Sequence, residues 1–314
     1  VDEAQRTRPV TAVWGSMLDR LRDLDGLLVN LECCLSTRGE PWQLTSRAFH
    51  FRADPEWAVP ALQQAGVDCC ALANNHVLDF ETAALRDTLA ALDGGDIAHA
   101  GAGTDRSAAF EPALVRVGGL DVAVISLTDN TPEYAATAQT PGTAHVRIDT
   151  DDRTTRARVT GALARARERD PDLVVASLHW GPNMVVDPPG AFRSFARWLV
   201  GEGVDVVHGH SAHVFQGIEV VDGAPVCYDT GDFVDDYAVD RRLRNDRSFL
   251  FELRIEGTTP TELRLSPTEI RGFAVHDADA DTAAWSRARM RERSVGFDTA
   301  FRRDGEELVV PLGE

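Results

Sequence analysis

The chain has 314 residues, with 32 basic side chains, all of them arginine, against 50 acidic ones. The resulting formal net charge of −18 excludes nucleic-acid binding through a basic surface. No apolar run approaches the roughly 20 residues that span a bilayer. With 43% hydrophobic residues the chain is long enough to bury the core of one large α/β domain. Such an acidic surface also repels an anionic substrate unless arginines or metal ions offset it locally. GC-rich codon usage and adaptation to high salt both produce this excess of arginine and aspartate.

Strands alternate with helices from the start. GLLVNLE (26–32) reads as a buried strand, and DPEWAVPALQQAG (54–66) as a helix closed by glycine. Upstream of both, the W-x-x-x-L-x-x-L spacing from Trp14 reads as the core face of a helix. VDCCALAN (67–74) is a second strand, with a helix to about residue 92 after it. VRVGGLDVAVISLT (115–128) reads as a hairpin feeding a central strand, and 129–147 as a polar loop near the site. A charged helix (152–169), the strand LVVASLHW (173–180) and an amphipathic helix (191–203) follow, then a short strand at GVDVV. Beyond it the pattern turns to β. GIEVVDGAPVCYD has its turn at Asp222-Gly223, and FLFELRIEG and TELRLSPTEI are strands. Residues 278–314 read as a polar helix and short strand packed on the same domain, which itself covers 1–277. The cysteines (Cys33, Cys34, Cys69, Cys70 and Cys227) fit neither a disulfide framework nor a C-x-x-C zinc site. They read as small buried hydrophobes in a reduced, cytoplasmic setting. A membrane-anchored or extracellular location is the alternative if a segment has been removed upstream of Val1.

Four strand ends carry candidate chemistry. The first ends in Asn30-Leu31-Glu32 and the second in Asn74-Asn75-His76, with Asp79 just after. The third ends in His179-Trp180-Gly181, and the fourth in VVHGHSAHVF, with His208, His210 and His213. Residues two apart on a strand share a face, so His208 and His210 point the same way, while His213 lies where the chain turns. Singly, each has an ordinary reading: Glu32 as a helix cap, Asn75 in an Asx turn, His179 bonded to a carbonyl. Together they fall where ligands bind in open α/β sheets. Carboxylate, amide oxygen and imidazole suit divalent Mn, Fe or Zn, which activates water against an ester or amide.

The ordered series NLE, ANNHVLD, HWG, GHSAH and GDF resembles the poly-γ-glutamate capsule-biosynthesis (CapA-type) family of the calcineurin-like metallophosphoesterase superfamily, over about residues 1–253. The resemblance implies a four-layer α-β-β-α sandwich with two divalent metal ions at the strand ends. It assigns metal binding to Glu32, Asn75, His179, His210 and His213, and general-acid or transition-state duty to His76. Asp79, Trp180, Asn183 and Asp232 are read as substrate-binding, although an acidic solvated turn accounts equally for Asp232 with Asp235 and Asp236. His208 has no role in the resemblance. Two departures are visible. GHSAH is spaced H-x-x-H rather than H-x-H, and the metal-binding Gly-Asp strand that opens the family's pattern has no counterpart after Val1, so an upstream truncation is expected.

The expected activity is metal-dependent hydrolysis of a phosphoester or amide bond, linked by the resemblance to poly-γ-glutamate or capsule polymer formation. The partner is then a small-molecule or polymeric phosphoester or γ-glutamyl substrate. A non-catalytic accessory subunit of polymer synthesis and a general metallophosphatase or phosphodiesterase are the alternatives. Oligomeric state has no signature in the sequence.

Overall fold

A computed structural model describes residues 2–5 and 7–313. The chain is of mixed α/β class with several sheets, and it divides into two compact units. The first comprises Asp2–Ala12 with Leu18–His179, and the second Val13–Met17 with Trp180–Glu314.

In the first unit, three parallel strands run in the order Leu28–Asn30, Cys69–Ala71, Ala98–Ala100, with Leu28 opposite Cys69 and Cys69 opposite Ala98. Helices fill the crossovers, as parallel pairing requires. The Pro55–Ala65 helix starts where the Asp54 side chain accepts from the Glu56 N–H. It stops where Gly66 turns left-handed at φ 79°. A second set pairs Leu120–Thr128 antiparallel to Ala113–Val117 and parallel to Leu173–His179. The central strand is buried along nearly its whole length, so side chains are covered on both faces and the sequence reads as a continuous apolar run. All the cysteines are free thiols, and four of the five are buried. Desolvation pushes Cys34, Cys69 and Cys227 up to about 12, so these thiols act as packing groups.

In the second unit, Ile218–Val221 and Ala224–Cys227 form the expected hairpin about Asp222 and Gly223, both at positive φ, and Ala224–Cys227 also pairs parallel to Val206–His210. The long hairpin Arg247–Glu256/Thr259–Arg271 leads an antiparallel sheet joined by Ala274–Asp277 and Glu307–Pro311. Phe215, Phe249, Leu265, Met290 and Leu308 make its buried core, so the helix Ala280–Ser294 and the last strand are built into this unit.

The expected continuous helix from Trp14 does not form. Gly15 sits at φ 47°, ψ −129°, and splits the segment into a 3₁₀ stretch (Val10–Met17) and a short α-helix (Leu18–Arg22). A Cβ at Gly15 would lie 2.1 Å from the Val275 carbonyl oxygen, so only glycine admits this contact. Trp14 and Leu21 are buried all the same.

Candidate active site

Two strand ends of the first unit are stapled by one side chain. Asn74 Nδ2 donates to the Leu31 carbonyl (2.8 Å) and to Asn30 Oδ1 (3.2 Å), while its Oδ1 accepts from the His76 N–H (3.0 Å). Asn30 Nδ2 in turn donates to Glu32 Oε2 at 3.0 Å. The segment after one strand is thereby held against the segment after its neighbour, and Glu32 meets His76: Nε2 lies 4.0 Å from Glu32 Oε1. His179, at the end of Leu173–His179 and 1% exposed, brings Nδ1 to 3.8 Å from Glu32 Oε2. Its backbone carbonyl is anchored by Thr128 Oγ1 at 2.8 Å.

Both imidazole–carboxylate separations exceed hydrogen-bond length. The His179–Glu32 separation is close to the roughly 3–4 Å between two donors of one ion whose bonds are about 2.1 Å. Asn75 Oδ1 is buried and, among the described residues, accepts no hydrogen bond. A buried amide oxygen left without a donor is costly in a protein interior and is what a cation satisfies. Carboxylate, imidazole and orphaned amide oxygen thus fit a divalent metal. Among the described residues, no three His, Cys, Asp or Glu side chains by themselves form a group that could hold an ion.

His76 is oriented from behind. Its Nδ1–H donates to Asp79 Oδ2 at 2.5 Å, which directs Nε2 toward Glu32. Asp79 was expected to contact substrate, but it is fully buried and its oxygens face inward. Oδ2 also accepts from the Phe51 N–H (2.7 Å), and Oδ1 accepts from Tyr134 Oη (3.2 Å) and lies 3.4 Å from Arg47 Nε. It therefore acts on His76, and no face of it is open to substrate. Phe51 covers the imidazole, with ring centroids 4.2 Å apart. Burial and the Asp79 charge hold the Tyr134 phenol well above its usual range, so it stays a proton donor.

In the second unit, His208 and His210 lie side by side as their spacing predicts, with ring centroids 5.1 Å apart. Gly209 between them passes the chain against another strand, where a Cβ would stand 2.1 Å from the Tyr228 carbonyl oxygen. Burial lowers His208 to about 4, so it is neutral. Ser211 (φ 118°) and His213 (φ 59°) both occupy backbone conformations unusual for side-chain-bearing residues, a strain that gathers at functional sites. Asp229 holds this turn by accepting from the Ala212 N–H (2.7 Å) and the Gly231 N–H (2.8 Å). Desolvation raises its carboxyl to about 7 despite those bonds. His213 Nδ1 bonds Asp232 Oδ1 at 2.8 Å, and Tyr237 packs edge-on against the same ring at 4.6 Å. Asp235 leans on Asp232, and burial with that contact pushes it up to about 9.

Trp180, read from the sequence as substrate-binding, packs into the interior. It is 2% exposed, stacks on Phe192 at 4.7 Å and donates Nε1–H to the Tyr228 carbonyl. Asn183 is exposed. Asp232 is in place beside His213. Arg47, Tyr134, Phe51 and Asp229 are the residues that sequence reasoning passed over. Asp229 stands next to the GDF motif, whereas Arg47 lies in a stretch without periodicity.

A probable polyglutamine synthesis accessory protein of Mycobacterium tuberculosis is 34% identical over 95% of this chain and 81% of its own length. The capsule biosynthesis protein CapA of Bacillus anthracis is 28% identical over 69% of this chain and 51% of its own. The PGA biosynthesis protein CapA of Bacillus subtilis is also 28% identical, over 69% of this chain and 55% of its own. The sequence profile of the bacterial capsule synthesis protein family (PGA_cap) matches residues 1–237, three-quarters of the chain, and the chain belongs to that family.

Proposed function

We propose that this chain is a metal-dependent hydrolase of a phosphoester or γ-glutamyl amide bond, acting in the formation of a capsule or poly-γ-glutamate polymer. The observation that carries this reading is the Glu32–His76–His179 cluster, in which a buried carboxylate pins Nδ1 of one imidazole so that its Nε2 faces a second carboxylate. Glu32, His179 and the Asn75 amide oxygen would hold a divalent ion, which supplies Lewis-acid charge and an activated water. In the other unit, His210 and His213 are proposed as ligands on the motif alone. The architecture that goes with this reading is the metallophosphoesterase sandwich.

His76 is the group placed to move a proton. With Nδ1–H committed to Asp79, Nε2 is the nitrogen that meets the reacting atoms, and as an imidazolium it gives its proton to the departing oxygen or nitrogen. Asp79 keeps the ring in that tautomer and supports its positive charge. Phe51 shields one face of the ring from water.

The test is metal content by plasma mass spectrometry on protein purified without chelator, followed by hydrolysis of bis(p-nitrophenyl) phosphate and of a γ-glutamyl amide. The expected result is one or two transition-metal ions per chain, with metal and activity lost together in Glu32→Ala and His179→Ala variants that melt like the parent. Full activity in either variant sinks the mechanism. Cleavage of the phosphodiester alone favours the general phosphodiesterase. No metal bound, and none taken up on titration, favours a non-catalytic accessory role, the role named for the mycobacterial relative.

A further inference from the structure

Residues 36–51 leave and re-enter the first unit at one place, because Cys34–Leu35 pairs in parallel with Arg52–Ala53. Between those strands the chain makes a strap that is tied down at several points. The Trp42 N–H donates to the Asp79 carbonyl at 2.8 Å, and the Trp42 ring meets Tyr134 edge-on at 4.7 Å. Thr45 Oγ1 donates to Glu133 Oε1 at 2.7 Å. Arg47 turns inward, and its side chain is only 11% exposed.

The Arg47 guanidinium makes four contacts at once. Nη2 donates to the Asn75 carbonyl, Nη1 to Thr131 Oγ1 (3.3 Å), Nε lies 3.4 Å from Asp79 Oδ1, and Cζ sits 4.9 Å over the Tyr134 ring. Two of these groups govern the site. Asp79 orients His76, and the Asn75 backbone sets the direction of the amide proposed to bind metal. An arginine fork suits the task, because its donors are spread over three nitrogens of one rigid plane, whereas a lysine ammonium gathers its three donors on a single atom.

We infer that Arg47 is the positioning residue of this site. One guanidinium, delivered by the strap, braces the carboxylate behind His76 together with the carbonyl of Asn75, and so couples the strap to the geometry of the imidazole. The inference rests on the proposed catalytic duty of His76 only for its kinetic consequence. The bracing itself is read independently.

The experiment follows the His76 Nδ1–H proton by NMR in histidine-labelled protein, with the resonance assigned by its loss in His76→Gln. A hydrogen bond to a buried carboxylate places it far downfield and slows its exchange with water. The expected result is loss of the resonance, or exchange faster by about tenfold or more, in Arg47→Met, with Arg47→Lys intermediate. A wild-type resonance and exchange rate in Arg47→Met overturns the inference. If circular dichroism shows Arg47→Met to be unfolded, Arg47→Lys decides: an unchanged resonance overturns the proposal and a weakened one supports it. In the kinetic arm, kcat on bis(p-nitrophenyl) phosphate falls about 10- to 100-fold with KM little changed, and added guanidinium partly restores Arg47→Ala. A wild-type protein that hydrolyses nothing, yet whose resonance responds to Arg47, keeps the positioning role and removes the hydrolase reading.

Discussion

Each unit of this protein holds an imidazole against a carboxylate, and the two do it by different means. His76 leans on Asp79, whose charge is met by a guanidinium, a phenol and a backbone N–H. His213 leans on Asp232, which shares its surroundings with a second carboxyl, Asp235. In the first, the carboxylate is surrounded by a cation and two donors. In the second, carboxyls crowd one another, and Asp235 keeps its proton to about 9. A buried acid needs either a partner cation or a proton, and this chain uses both solutions.

The comparison breaks most visibly under substitution of the acids. Asp79→Asn leaves the Arg47 guanidinium buried without its counter-charge, a loss worth about 3–5 kcal/mol of unfolding free energy. Asp232→Asn removes one member of a crowded acidic pair and is expected to cost clearly less. Denaturant titration of both variants checks this, and equal losses would show that the two carboxylates are held alike.

A smaller effect comes from pH. Asp235 has an ordinary value of 3.8 and a folded value of about 9, so the folded chain binds its proton more tightly than the unfolded chain does. Stability from this group is therefore complete below about pH 4 and is lost as pH rises through 9. His208 has the opposite sign. It is held neutral to about 4 against an ordinary 6.5, and its contribution is lost as pH falls from about 6.5 to 4. Asp235→Asn should flatten the fall in melting temperature between about pH 4 and 9. A slope over that range unchanged by the substitution would mean that Asp235 does not carry its proton into the folded state.

Much of this fold was legible because its signals are local. The Asp54 cap, the Gly66 stop and the Asp222-Gly223 turn each sit within a few residues of what they control. The glycine at 15 misled because the reason for its backbone is Val275, in a strand more than two hundred residues away. The site divides the same way. Strand-end positions singled out Glu32, His76 and His179, and the fold brings both imidazoles to within 4.0 Å of the Glu32 carboxylate. Asp79 was visible only as an acidic residue just after His76, and its bond to the His76 ring from a fully buried position is a feature of the folded chain that this position does not reveal. Arg47 acts across 28 residues to Asn75 and 84 to Thr131, on a segment with no strand or helix pattern, so nothing local marks it.

The strap that carries Arg47 begins and ends on paired neighbouring strands, with Cys34 beside Arg52 and Leu35 beside Ala53. Because its two feet are fixed by the sheet, the stretches between its tie points at Trp42, Thr45, Arg47 and Phe51 can change in length without disturbing strand register, as compact surface loops generally do. Two of its side chains are largely exposed: Leu44 at 81% and Phe49 at 58%. The exposed stretch of the strap is thus open to exchange. Change at positions such as Leu44 alters what the strap presents outward, while Trp42, Arg47 and Phe51, all in contact with Asp79, keep the imidazole aimed.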